Sequence, residues 1–165
     1  MSLIEAPVVE ISAPCPAWGQ ALPEAAALAE TAAVLALRRS EAPAAAVVDI
    51  TLTDDDEQRI LNRTWRGKDA PTNVLAFPAA DPAVPVPNGA PLLLGDVVVA
   101  FETVRREATE QEKPLADHLR HLVVHGVLHL LGHDHENAAE AAIMEAREIA
   151  ILAELGVPNP YRDTI

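Results

Sequence analysis

The sequence predicts one α+β domain, a small mixed β-sheet packed with helices. Three observations carry that expectation. A length of 165 residues suits a single domain spanning residues 1–165. Short β-branched runs alternate with helical segments through the first hundred residues. Three helical segments then follow one another, which breaks the regular strand–helix alternation of a parallel winding.

Val8 to Ile11 is a short apolar run suited to an edge strand. Pro23 opens an alanine- and leucine-rich helix that ends at Arg39, with basic residues in its last turn. Ala46 to Leu52 is β-branched and partly alternating, so it reads as a strand. Thr53 is placed to cap a helix that begins with Asp54, Asp55, Asp56 and Glu57, acids favoured at a helix N-terminus. That helix runs to about Trp65, and Gly67 ends it. Val74 to Phe77 is a further short strand. Five prolines between Pro78 and Pro91, with Asn88-Gly89, call for a loop or hairpin connection. Leu92 to Ala100 is the strongest strand signal, and Gly95 within it implies a bulge or a close backbone approach. Helices are expected over about Glu102 to Glu112, Leu115 to Leu131 and Ala138 to Leu155.

Half the residues are apolar, but aromatics make up only 3%, so the core should be aliphatic. Cys15 is the single cysteine, which excludes an internal disulfide framework and fits a reducing cytosol. The opening residues lack a basic and then apolar leader pattern, and no apolar run reaches the ~20 residues of a membrane span. A cytoplasmic protein without membrane contact is expected. A net charge of −13 opposes broad nucleic-acid binding. Arg59, Arg63, Arg66 and Lys68 nevertheless gather four of the twelve basic residues into one short stretch, a candidate local patch.

All six histidines fall between residues 118 and 135. His125 and His129 stand four apart on an expected helix, so both side chains lie on one face and reach one ion. Gly132 ends the helix by turning left-handed, and His135 returns to the pair. Three imidazoles leave a tetrahedral position open, the pattern of a catalytic rather than a structural zinc site. His118, His121 and His133 are better explained as surface residues or as supports behind the ligands. The spacing also matches the zinc-protease motif H-E-x-x-H-x-x-G-x-x-H. The position that motif reserves for its glutamate base is Gly126, which weighs against peptide hydrolysis.

The string HGVLHLLGHDH, residues 125–135, resembles the signature of the YbeY family of bacterial single-strand endoribonucleases. LNRTWRGKDAPTNVLAFP (61–78), LLGDVVVA (93–100) and GVPNPY (156–161) agree with it, so the resemblance runs from about residue 46 to 161. It implies an α+β domain holding one zinc ion through His125, His129 and His135, with Arg66 matching the family's arginine. The implied substrate is single-stranded RNA, in maturation of the 3′ end of small-subunit ribosomal RNA and ribosome quality control. Small-subunit ribosomal proteins are a second class of partner. Asn73 stands where many members carry aspartate. Arg66 is the candidate to receive charge developing on a phosphate, because guanidinium grips phosphate oxygens in a planar fork. Asp134 and Asp96 are candidates to orient a ligand. Two alternatives stand beside the nuclease: a zinc-containing ribosome-assembly or RNA-binding factor with little catalysis, and a metalloprotease-like hydrolase.

Overall fold

The computed structural model describes residues 6–79, 90–134 and 136–161. Strands Val8–Ser12 (β1), Ala46–Thr53 (β2), Val74–Pro78 (β3) and Leu92–Ala100 (β4) form a sheet of order β1-β2-β4-β3. β1, β2 and β4 are parallel, while β3 runs antiparallel to β4, so the sheet is mixed as expected. The helices among the described residues are Pro16–Ala21 (α1), Ala25–Arg39 (α2), Asp55–Arg66 (α3), Phe101–Glu110 (α4), Leu115–Leu130 (α5) and Ala138–Glu154 (α6). None is long and apolar enough to cross a membrane. The proline-rich connection after β3 falls, over residues 80–89, outside the described residues.

The period-two pattern of the strands sorts their side chains between two faces. Ala46, Val48, Ile50 and Leu52 of β2 and Val97 and Val99 of β4 are fully buried. Register pairs Ile50 with Val97 and Leu52 with Val99, so these residues share one face. α2 and α5 pack on it and on each other, and α6 closes over α5. α2 buries Ala25, Ala29, Ala32, Ala33 and Ala36, small side chains that let it approach closely. α1 was not legible in the sequence. It is six residues long and is held by Trp18, whose indole Nε1 donates to Thr53 O at 3.0 Å.

Thr53 does not cap α3; it is the last residue of β2. Asp54 takes the cap, its carboxylate accepting from Glu57 N at 2.9 Å, because one more residue of β2 stays paired with β4. The first turns of α3 and α4 then cap each other. Asp55 accepts from Thr103 N at 3.0 Å, and Glu102 accepts from Asp55 N at 3.0 Å. Gly132 is left-handed at φ 96° and ends α5, as the sequence implied.

Gly95 fulfils both of its readings. Register slips around Val47 and Val48, leaving Leu94 as the extra residue of a bulge in β4. With φ 147°, a Cβ there would stand 2.2 Å from Phe77 O and 2.9 Å from Leu130 Cδ2. Backbone oxygen cannot yield as a side-chain tip would. Gly95→Ala should therefore cost roughly 2–4 kcal/mol, combining overpacking with backbone strain. Chemical denaturation of the purified variant checks this, and a loss below about 0.5 kcal/mol would contradict the close approach.

Candidate active site

α5 carries the histidine cluster because its two faces have different work. Leu119, Leu122, Val123, Val127 and Leu128 are buried in the core. His125 and His129 project from the same helix into a cleft of about 500 Å³. Arg66, from the last turn of α3, lines that cleft with Asn73, Val74 and Ala76 of the β3 segment and with Asp134. Arg66 and His125, 59 positions apart in sequence, thus meet in one depression. His135 lies outside the described residues.

The Nε2 atoms of His125 and His129 stand 3.1 Å apart. Two imidazole ligands of one tetrahedral ion, bonded at about 2.0–2.1 Å, would have nitrogens roughly 3.3 Å apart. The pair therefore fits two ligands of one small cation. Behind it, His125 Nδ1 meets Glu148 Oε1, which leaves Nε2 as the lone-pair atom of a neutral ring facing the cleft. Burial alone would raise the Glu148 carboxyl. Hydrogen bonds from His121, His125 and Tyr161 outweigh it and bring the group down to about 2. Glu148 therefore accepts at every contact. Burial and the Glu148 carboxylate together push the Tyr161 hydroxyl up, so it stays the donor.

Ligand atoms of His121, His125 and Glu148 also lie within 4.8 Å of one another, and so do those of Asp134, Glu136 and Glu140. The first group shares His125 with the cleft. Its carboxylate already accepts from three donors and is wholly buried, so we assign it to support behind the cleft.

Several sequence expectations change. Of the two readings open for His118, surface residue or support, its burial excludes the first: its Nε2 bonds Glu107 at 2.8 Å. Glu107 also accepts from the Asn73 amide at 3.0 Å, which ties the start of β3, a wall of the cleft, to α4 and α5. Asn73 lies outside the histidine signature in sequence, yet it lines the cleft. Asp96 does not. It alternates with Val97, pairs in register with Asp49 and so faces away from α5. Burial and the neighbouring Asp49 raise its carboxyl. The basic patch is smaller than its composition implied. Arg59 is held by Asp69 through contacts of 2.8 and 3.0 Å, and Arg63 lies 3.9 Å from the same acid. Among the described residues, no acid pairs with Arg66 or Lys68. Glu148 is not among the residues the sequence motifs single out. The signal was there: it falls in the apolar stripe of Met144, Ile151 and Leu152, where an unpaired acid would be costly.

Gly126 has a packing reason. A Cβ there would lie 2.7 Å from Val97 Cγ1, because α5 sits directly on β4. A glutamate at this position would have to displace Val97.

Fold and cleft together place the chain among small α+β proteins whose long helix presents paired histidines beside an arginine. The family is more particular. The chain matches the family described as Endoribonuclease YbeY over residues 19–156. It is 54% identical over 155 residues to an Endoribonuclease YbeY of Paramagnetospirillum magneticum, covering 93% of this chain and 94% of the relative. An Endoribonuclease YbeY of Rhodopseudomonas palustris is 50% identical over 144 residues, covering 82% and 84%. The chain belongs to the YbeY family. The fold is shared with a solution structure from Thermotoga maritima at a TM-score of 0.55 and 22% identity, covering 94% of this chain and 100% of that one.

Gly126→Ala tests the packing at the cleft floor. At an exposed helical site this change stabilises by about 1 kcal/mol. Against Val97 it should instead destabilise by roughly 1–3 kcal/mol. Denaturation midpoints give the sign, and a stabilised variant would show that α5 does not rest on β4 as described.

Proposed function

We propose that this protein is a metal-dependent endoribonuclease that cuts single-stranded RNA in the cytoplasm, with ribosomal RNA as its natural substrate. The observation that carries the reading is the convergence of the His125 and His129 Nε2 atoms, 3.1 Å apart, in the cleft that Arg66 lines. Family membership supports the reaction class. The H-x3-H-x5-H spacing supports His135 as the third ligand, and imidazole donors suit zinc. A zinc-type ion supplies Lewis acidity and makes water a competent nucleophile at neutral pH.

The chain's own residues do the rest. Arg66 binds the phosphate through its guanidinium fork and offsets the charge that builds on the phosphoryl oxygens. The β3 segment, held by Asn73 and Glu107, forms the opposite wall and confines the strand. No glutamate stands at Gly126, so a proton acceptor must come from another wall of the cleft, and Asp134 lines it. A second reading, an assembly factor with little turnover, draws on the acidic body and on the neutralisation of Arg59 by Asp69.

Cleavage of a labelled single-stranded RNA decides between the two. Arg66→Ala should keep the fold and bound metal yet slow cleavage tenfold or more, as when a charge-stabilising donor is lost. His129→Ala should lose both metal and cleavage. Parent protein that binds RNA without cutting it favours the assembly factor. An Arg66→Ala variant that cuts like the parent removes Arg66 from the reaction.

A further inference from the structure

We infer that Glu148, braced by Tyr161 and His121, is a positioning residue that fixes the tautomer and orientation of His125, so that the C-terminal turn ending at Tyr161 is a working part of the cleft. The inference rests on the metal-site reading above and extends it to residues outside the histidine signature.

Glu148 is fully buried in the apolar stripe of α6. A carboxylate in such a place is a poor device for stability, since a well-packed apolar side chain would serve as well or better. Its partners show what it is for. Oε1 meets His125 Nδ1, and Oε2 meets His121 Nε2 at 3.2 Å and the Tyr161 hydroxyl. All are donors, and together they leave the carboxylate one orientation. The two histidines are thereby forced into opposite tautomers. His125 must carry its proton on Nδ1, which presents the Nε2 lone pair to the cleft. His121 must carry its proton on Nε2, and its buried Nδ1 has no partner. A carboxylate or carbonyl behind a metal-binding histidine is the usual means of fixing ring and tautomer.

Tyr161 reaches Glu148 from a segment beyond α6. Asn159 Oδ1 accepts from Tyr161 N at 2.8 Å and shapes that turn. The Tyr161 ring meets His121 edge-on, with centroids 5.4 Å apart. The hydroxyl is thus delivered from two directions, by the backbone turn and by the ring contact. Tyr161 itself does not line the cleft.

The test uses metal-free full-length protein with ¹⁵N-labelled imidazoles, followed by zinc titration against a chelator. The parent should show His125 protonated on Nδ1 and His121 on Nε2. Glu148→Gln keeps the side-chain shape but sets an amide against donors. It should mix the His125 tautomers and weaken zinc binding roughly 10–100-fold. Tyr161→Phe keeps the ring and should weaken zinc binding roughly threefold to tenfold, about the effect of one lost hydrogen bond, while lowering the melting temperature by only about 2–4 °C. A parent with His125 protonated on Nε2 overturns the inference, and so do two variants that bind zinc like the parent. If the parent binds no zinc, the metal reading of the cleft fails instead, and the tautomers of the metal-free protein still decide whether Glu148 sets His125.

Discussion

The molecule depends on how closely α5 lies on the sheet. Gly126 of α5 meets Val97 of β4, and Gly95 of β4 meets Phe77 O of β3 and Leu130 of α5. Each contact falls within the distance at which a methyl group would collide, so helix and both strands are locked at one separation. His125 and His129 flank Gly126 along α5. Their height above the β3 wall follows from that separation, and so does the width of the cleft they share with Arg66. Interiors pack densely enough that such a spacing is discrete rather than adjustable.

On this frame two glutamates, Glu148 buried and Glu107 half-buried, organise the polar groups. Glu107 of α4 gathers His118 and Asn73 and so joins α5 to the β3 wall. Glu148 of α6 gathers His121, His125 and Tyr161 and so joins α5 to the C-terminal turn. Of the four α5 histidines from 118 to 129, the first and second serve as supports and the third and fourth face the cleft. Each of these hydrogen bonds holds one arrangement in place, because breaking it strands a carboxylate or a donor away from water. The net charge of −13 remains compatible with an anionic substrate because Arg66 and Lys68 have no acid paired with them among the described residues, while Arg59 and Arg63 are drawn to Asp69.

Much of this architecture was legible because strong local signals coincide with the tertiary outcome. β2, β4, α5 and α6 follow apolar periodicity, Gly132 turns where a left-handed residue was needed, and Gly95 sits at its bulge. The histidine pair was legible from a four-residue spacing on a helix. The features that were not legible depend on partners far away in the chain. α1 exists because Trp18 reaches Thr53, and α4 lacks its own side-chain cap because Asp55 supplies one. The burial of His118 depends on Glu107, eleven residues before it. Asp96 looked like a site residue from its neighbours in sequence, yet strand alternation turns it to the other face. Glu148 was the legible omission, an acid inside an apolar stripe and therefore in need of a partner.

In the proposed function, cleavage depends on one ion held by the α5 histidines. This dependence is tested most directly by stripping the protein of metal, adding zinc stepwise and following cleavage of a single-stranded RNA at each step. Activity should be absent from the stripped protein, rise in proportion to added zinc and level off near one equivalent per chain. Full cleavage by the stripped protein, with no response to added metal, would contradict it.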